Sequence, residues 1–168
     1  MMLPAPCANI MGTSLCAHNR APRRLTWKMR SHTSSEKSSS GAGADEMAAL
    51  ITAELGMPVQ WCRAVQVDGP IEGLRSYAEL AASMDEVREV GNSLVLREAV
   101  GVCAFINPWN DPLHQLLGKL APALAAGCTV VVKPSQETPL HAFLLAEMIQ
   151  ACGLPAGVFN LVSGPGSK

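Results

Sequence analysis

The chain lacks several features that would assign it to a class at once. Aromatic residues make up only 4% of its 168 residues, and its formal net charge is −1 at pH 7. Since it has no excess of basic side chains for a phosphate backbone, we expect no nucleic acid among its partners. Its apolar runs are broken by residues such as Pro122 and Gly127 and fall short of the roughly 20 residues of a membrane span. We therefore expect no membrane segment.

Metal-binding and disulfide patterns are missing too. The six cysteines are scattered, without a C-x-x-C pair or a partnering histidine cluster, so they predict neither a zinc site nor a disulfide framework. We interpret them as reduced thiols of an intracellular, cytoplasmic protein and expect no metal. They are Cys7, Cys16, Cys62, Cys103, Cys128 and Cys152.

Residues 1–43 differ from the rest of the chain in amino-acid composition. They combine prolines, a serine-rich patch from Ser31 to Ser40 and basic residues, with no acid before Glu36 and no helical or strand period. A segment that cannot bury an apolar face is predicted to be disordered. It superficially resembles an organelle transit peptide, which stays the alternative to a cytoplasmic location, but no apolar stripe opposes its arginines. Residues 44–168 are predicted to form the folded part.

The first part of this folded region predicts helices. A helix is expected to begin at Ala44, with Asp45 and Glu46 in its first turn, and to stop at Gly56. Two further helical pieces are expected on either side of Asp68-Gly69-Pro70, because proline and glycine interrupt helices. The second piece carries an apolar side made of Ile71, Leu74, Ala78 and Ala81.

A short β region is predicted next. The charged run at residues 85–89 is interpreted as a solvated face without a role. Gly91-Asn92 predicts a turn, and the alternation from Ser93 to Val100 predicts a strand exposed on one side.

From Gly101 onward the pattern is that of an α/β protein with a parallel sheet and flanking helices. Apolar runs predict buried strands covered on both faces, and each is followed by a helix or a turn. Asp111 and Pro112 are expected to begin one helix as N-cap and first helical residue, and Thr138-Pro139 to cap another. The predicted order is strand 102–107, helix to Gly127, strand 128–133, helix to Cys152 and strand 158–163.

Ligands bind beyond the carboxyl ends of the strands in open parallel sheets. Asn110 lies there and can donate to an oxygen that gains negative charge, although it can equally just close the turn. Lys133 ends a predicted strand and suits a phosphate or hydroxyl-rich ligand, or else simply reaches water. Gly164 and Gly166 would let backbone approach a pyrophosphate, but without a G-x-G-x-x-G pattern they are a weak signal.

Several motifs in this part occur together in one family. PWN, KLAPALAAG, VVVKPS, TPL, CGLPAGVFN and SGPG follow one another in an order and spacing that resembles the cofactor-binding domain of the NAD(P)-dependent aldehyde dehydrogenase superfamily. Over residues 44–168 the resemblance implies a partial variant Rossmann domain, NAD or NADP as cofactor, and hydride transfer from a thiohemiacetal as the reaction.

The resemblance also implies roles for single residues. Asn110 matches the family's oxyanion-stabilising asparagine, and Lys119 matches a helix lysine near the active centre. The adjoining segment that touches the cofactor contains Ile106, Asn107 and Trp109.

For the adenosine end of the cofactor, Lys133 matches the lysine that contacts the ribose. Gln136 stands where NAD-preferring members commonly carry a glutamate. Because a neutral amide repels a 2′-phosphate less than a carboxylate does, NADP is acceptable beside NAD.

Besides Gln136, two further departures from the family pattern matter. Asp111 places a carboxylate beside the oxyanion donor, and the sequence stops at Lys168, before the positions of the family's general-base glutamate and nucleophilic cysteine. We therefore interpret the chain as truncated, and expect it not to oxidise aldehydes alone; aldehyde substrates belong to the full-length family.

The alternative to this oxidoreductase fragment is a non-catalytic nucleotide-binding or subunit-interaction module. Residues Leu94 to Val100 fall where the family's protruding oligomerisation strands begin, which makes a homo-oligomer a possible assembly.

Overall fold

The computed structural model describes residues 41–81, 83–84 and 87–166, so the predicted disorder of residues 1–43 falls almost entirely outside the described part. None of the helices described is at once long and apolar enough to cross a bilayer.

The elements are α1 (Gly41–Leu55), α2 (Val59–Cys62), a π-helical segment (Arg63–Asp68), α3 (Gly69–Ala81), β1 (Arg88–Val90), β2 (Ser93–Val95), β3 (Val102–Ile106), α4 (Pro112–Ala125), β4 (Thr129–Lys133), α5 (Leu140–Ala151) and β5 (Phe159–Leu161).

The central element is a parallel sheet in the order β3-β4-β5. Helix α4 connects β3 to β4, and α5 connects β4 to β5, as parallel strands require a crossover. The register pairs Val102 with Thr129 at one end of β3 and Ile106 with Lys133 at the other. All carboxyl ends therefore lie at one edge of the sheet, and the predicted α/β class with a parallel sheet is confirmed.

The core lies between this sheet and the helices. The predicted apolar stripe of α4 is buried along its whole length, and it packs toward Val130 and Val132, which are fully buried in β4. Burial of each such large aliphatic side chain contributes roughly 1.5–3 kcal/mol. The stripe consists of Leu113, Leu116, Leu117, Leu120, Ala121 and Leu124.

One face of the sheet is open, and here the sequence prediction was wrong. β3 was expected to be covered on both faces, but Val102 is 70% exposed and Ile106 is 77% exposed. Cys103 and Phe105, which alternate with them, pack against the core. Within the described residues the helices cover only this second face, so the alternate side chains of β3 reach solvent.

Helix α1 starts earlier than predicted. It begins at Gly41 instead of Ala44, so Asp45 and Glu46 lie beyond its first turn. Its end agrees with the prediction, because Gly56 follows the helix with φ at 80°, a conformation that glycine adopts without strain.

The expected break at Asp68-Gly69-Pro70 does not occur. The chain stays helical from Val59 to Ala81, and the Gly69 N–H donates to the carbonyl of Ala64, five residues back. The wider π-type turn precedes Pro70, which has no N–H of its own to donate. In α3 the predicted side is buried at Ile71, Leu74 and Ala78, but Ala81 is only half-buried.

The β region before the sheet is a small antiparallel hairpin. β1 pairs with β2 across the predicted Gly91-Asn92 turn, so the charged run contributes a strand that was not predicted. The expected strand from Ser93 to Val100 ends at Val95. Arg88 and Glu89 are exposed as predicted, whereas Asp85 and Glu86 lie outside the described residues. The hairpin also exposes Val90, Leu94 and Val95, which leaves apolar surface without a partner in this part of the chain.

The start of α5 is held by another helix rather than by its predicted cap. Pro139 occupies the N-cap position, where no side-chain hydrogen bond is made. The Leu140 N–H donates to Glu54 Oε1 of α1 at 2.9 Å, while Thr138 donates its hydroxyl to the carbonyl of Trp109 at 3.4 Å. Contacts distant in sequence thus replace the local cap.

His141 is fully buried in the first turn of α5. Burial lowers its pKa from an ordinary 6.5 to about 4, although nearby backbone groups of Thr138 and Pro112 offset part of this effect. Neither ring nitrogen meets a hydrogen-bond partner with good geometry among the described residues. The folded chain therefore holds His141 neutral.

This burial predicts a pH dependence of stability. The folded pKa of His141 lies below the unfolded one, so between about pH 6.5 and 4 the unfolded chain binds more protons. The free energy of unfolding should fall as the pH falls through this window, by at most roughly 1.4 kcal/mol per pH unit. His141→Leu should flatten that slope in urea titrations at several pH values. His114→Leu, at an exposed position of α4, should keep it; equal slopes in both variants would contradict the assignment.

Candidate functional site

The carboxyl edge of β3 and β4 brings several predicted residues together. Ile106 and Lys133 are register partners, and the Asn107 N–H continues the ladder by donating to the Lys133 carbonyl at 3.1 Å. Sequence reasoning placed Lys133 at this edge because parallel strands share their direction, and the family resemblance added Ile106 and Asn107. The structure shows them as direct neighbours.

Lys119 of α4 is bound to the same strand end. Its Nζ donates to the carbonyl of Ile106 at 3.2 Å and to Asn107 Oδ1 at 2.9 Å. Asn107 is only 4% exposed, and its Nδ2 has no hydrogen-bond partner among the described residues. A buried amide is thereby oriented by a cation, with its NH2 group left unpaired beside the site.

The turn after β3 carries Trp109 and Asn110. Trp109 is 55% exposed, and its carbonyl accepts the Thr138 hydroxyl, which ties this turn to the segment before α5. Asn110 is exposed, and its Nδ2 donates to Asp111 Oδ2 at 3.0 Å. The amide therefore has a fixed neighbour and stays accessible to solvent.

Asp111 occupies the N-cap position of α4 as predicted, but its side chain makes no cap hydrogen bond. Its carboxylate instead accepts from Asn110 and from Gln66 Nε2, which lies 2.6 Å from Oδ1. The backbone carbonyl of Asp111 accepts the N–H of Gln115 and so begins the helix. The carboxylate is used for side-chain contacts because two amide donors surround it.

The adenosine-side candidates are more loosely held. Lys133 Nζ donates to the carbonyl of Pro134 at 3.2 Å and, across the described chain, forms no ion pair with a carboxylate. Gln136 Nε2 donates to Glu137 Oε1 at 3.2 Å and is exposed. Lys133 is thus a half-buried cation whose charge is not neutralised nearby.

The glycines after β5 lie past the same edge. The Val162 N–H donates to the Val132 carbonyl at 2.9 Å, so the ladder extends beyond β5 toward Gly164. Gly164 has φ at 140°, a conformation in which other residues are strained. Gly166 is exposed, and a Cβ built at either glycine would meet nothing within 4 Å. The backbone is therefore open to approach.

The described cysteines lie elsewhere. Cys103 and Cys128 are near the amino ends of β3 and β4, opposite to Asn110; burial raises the pKa of the Cys103 thiol, and a hydrogen bond with Cys128 adds to the rise. Cys62 is buried in α2, and Cys152 follows α5. Residues 41–81, 83–84 and 87–166 also contain no cluster of three His, Cys, Asp or Glu side chains that would hold a metal.

Sequence reasoning missed Gln66. It is fully buried although it lies in the polar-looking stretch before Asp68, and its partner Asp111 is distant in sequence. No local signal reveals this contact, because the π-helical segment that turns Gln66 inward was not predicted. Thr138, which was expected to cap α5, is also buried at the site.

These features define a Rossmann-like α/β domain with its polar residues at the carboxyl edge of the sheet, the edge at which open parallel sheets generally bind ligands. The sequence profile of the aldehyde dehydrogenase family matches residues 39–168, and the chain belongs to this family.

Curated relatives agree with this assignment. A 3-succinoylsemialdehyde-pyridine dehydrogenase of a Pseudomonas species is 46% identical over 123 residues, and an aminoacetaldehyde dehydrogenase of Pseudomonas aeruginosa is 43% identical over 127 residues. Each match covers 73% of this chain and 26% of the relative. The chain therefore spans about a quarter of the length of these relatives.

Solved structures show the same relationship. Aldehyde dehydrogenase C of Pseudomonas syringae, crystallised as a mutant with NAD+ and octanal, superposes with a TM-score of 0.74 at 36% identity, covering 98% of this chain and 30% of that one. An aldehyde dehydrogenase of Burkholderia cenocepacia gives a TM-score of 0.69 at 37% identity, over 74% of this chain and 26% of that one.

The Lys119 contact predicts an effect on stability. In Lys119→Met the buried Asn107 Oδ1 loses its donor, and an unpaired buried acceptor costs about 1–3 kcal/mol. Urea denaturation should show this loss. Lys133→Met is the matched control, since its Nζ contacts only a neighbouring carbonyl, and it should change stability by less than about 0.5 kcal/mol. Equal effects of both substitutions would show that the Lys119 hydrogen bonds do not hold the strand end.

Proposed function

We propose that the carboxyl edge of the sheet binds a nicotinamide dinucleotide, NAD or NADP, and that the chain supplies the cofactor-binding and oxyanion-binding part of an aldehyde dehydrogenase site. The observation that supports this most is the pairing of Ile106 with Lys133, extended by the Asn107-to-Lys133 hydrogen bond. It places a neutral strand-end segment and an unneutralised cation side by side. Parallel sheets bind dinucleotides at such an edge.

The cofactor contacts follow from this arrangement. Lys133 would donate to the hydroxyls of the adenosine ribose, since only a weak local contact to Pro134 competes for its Nζ. Ile106, Asn107 and Trp109 would line the side of the cofactor, and two of them, Ile106 and Trp109, expose large apolar surfaces there. Gly164 and Gly166 would let backbone approach the pyrophosphate.

Gln136 bears on the choice between the two cofactors. It is exposed, and its side-chain NH2 bonds to Glu137. Because Gln136 itself is neutral, it repels a 2′-phosphate less than a carboxylate in its place would, and Lys133 attracts one. The site therefore accepts NADP as well as NAD.

Asn110 would supply the electrophilic part of the chemistry. Its NH2 group is exposed at the mouth of α4, and only one of its two hydrogens is needed for Asp111. The second hydrogen can stabilise an oxygen that gains negative charge in the transition state. Lys119 would support this centre by fixing the strand end from which the turn departs.

Calorimetric titration tests the cofactor proposal. The purified chain should bind NAD+ and NADP+, and Lys133→Met should weaken binding of each by about tenfold or more, as expected for a lost hydrogen bond from a charged group. Arg75→Met, which removes an exposed cation of α3, should leave both affinities unchanged. Undetectable binding by the wild type, or equal affinities of wild type and Lys133→Met, would contradict the proposal.

The placement of the thiols predicts that the 168-residue chain alone forms no NADH from an aldehyde and NAD+. Oxidation through a covalent intermediate needs a thiolate close to the oxyanion donor. The described cysteines lie at the amino ends of strands or within and after helices, away from Asn110. Absorbance at the NADH maximum should stay constant with octanal as substrate, and a steady rise would overturn this expectation.

A further inference from the structure

Gln66 is buried by an unusual stretch of helix. The π-helical segment Arg63–Asp68 is closed by a side-chain bridge between its first and last residues, Arg63 Nε to Asp68 Oδ1 at 2.8 Å, a spacing that matches one wide turn. Arg63 also pairs with Asp45 of α1. The second contact joins the segment to α1, and two of the segment's own residues, Gln66 and Val67, are completely buried. Such wide turns are frequent at functional sites.

From this position Gln66 reaches the turn that carries Asn110. Its Nε2 lies 2.6 Å from Asp111 Oδ1, and Asp111 Oδ2 accepts from Asn110 Nδ2 at 3.0 Å. An ionised carboxylate only accepts hydrogen bonds, so both amides must turn their NH2 groups toward Asp111. The direction of the Asn110 amide is therefore defined by Asp111, and that of Asp111 by Gln66.

Neither Gln66 nor Asp111 is placed where it would stabilise the fold most. Gln66 Oε1 is buried without a hydrogen-bond partner among the described residues, which an apolar side chain of the same length would avoid. Asp111 stands at an N-cap position without capping the helix. What both side chains share is their connection to the exposed amide of Asn110.

We propose that Gln66 is a positioning residue, which holds the Asp111 carboxylate so that it fixes the side-chain amide of Asn110 for an incoming anionic oxygen. The inference rests on the proposed role of Asn110 as an oxyanion donor. It assigns the π-helical segment a function in the site, through the contact of its buried Gln66 with Asp111. Asp111 is a carboxylate beside an oxyanion donor. Gln66 donates to its other oxygen and so partly offsets the negative charge of this carboxylate.

The test compares Gln66→Met with Gln60→Met in the 15N-labelled chain. Methionine has a similar length and no donor, and Gln60 is exposed on α2. The side-chain NH2 signals of Asn110, identified by their loss in Asn110→Ser, report hydrogen exchange with water. In Gln66→Met that exchange should accelerate by roughly tenfold or more, because an Asp111 carboxylate released by Gln66 no longer holds the Asn110 NH2 group through its charge-assisted hydrogen bond. Gln60→Met should leave it unchanged.

The stability of the same variants separates positioning from a structural role. Gln66→Met should change the urea midpoint little, since removal of the unpaired buried Oε1 offsets loss of the hydrogen bond from Nε2 to Asp111. A large loss of stability with unchanged Asn110 exchange would overturn the proposal. Asp111→Asn is the second variant, in case Gln66→Met does not fold. It leaves one acceptor oxygen for two donors, so it should accelerate Asn110 exchange as well, and unchanged exchange in this variant would likewise overturn the proposal.

Addition of NAD+ distinguishes this inference from the proposed function. If saturating NAD+ leaves the Asn110 NH2 signals of the wild type unchanged while Gln66→Met accelerates their exchange, the positioning contact is supported and the proposed cofactor site next to Asn110 fails. If NAD+ shifts these signals but wild type and Gln66→Met exchange alike, the proposed function is supported and the positioning role fails.

Discussion

A single backbone hydrogen bond, from Asn107 N–H to the Lys133 carbonyl, determines where the candidate site lies. It continues the parallel ladder past the last paired residues of β3 and β4, so the segments that follow these two strands leave the sheet side by side. Lys119 reinforces it by binding the carbonyl of Ile106 and the side chain of Asn107. If β3 were shifted by one residue, its side chains would change faces and Asn107 would no longer face Lys119. The positions of Asn110 and Lys133 depend on this register.

The site combines buried polar residues with exposed ones. Asn107, Thr138 and His141 are buried polar residues around the turn, and Asn110 and Trp109 are exposed above them. Buried polar groups cost stability unless paired, and two of these three lack complete pairing among the described residues. Side chains with unsatisfied hydrogen-bonding capacity are expected where a ligand completes the network. The unpaired polar groups thus lie at the proposed ligand-binding edge.

The sequence predicted the region after Gly101 well because its signals are local. The buried stripe of α4, the strand that ends at Lys133 and Gly153 with φ at 73° after α5 all follow from apolar spacing and glycine placement. The resemblance to aldehyde dehydrogenases rested on the same part, and the family assignment is confirmed. The residue roles that the resemblance implies remain proposals.

The sequence predictions that failed depend on contacts between segments far apart in the chain. Pro70 was read as a helix break, but tertiary packing keeps the chain helical through a π-type turn. Glu54 accepts the Leu140 N–H in place of a local cap, and the Asp111 carboxylate accepts from Gln66 Nε2 instead of from a backbone N–H of α4; both contacts join segments far apart in sequence. The open face of β3 was missed because an apolar strand predicts covering layers without showing whether they belong to the described residues. Local patterns do not contain this information.

Hydrogen–deuterium exchange with and without NAD+ tests the central claim most directly, because it locates the binding edge. The account predicts slower exchange in residues 106–110, 133–137 and 162–166, which surround the carboxyl ends of the three strands, and no change in residues 126–129 at the opposite edge. Protection confined to the opposite edge or to the β1–β2 hairpin, with residues 106–110 and 133–137 unaffected at saturating NAD+, would contradict it.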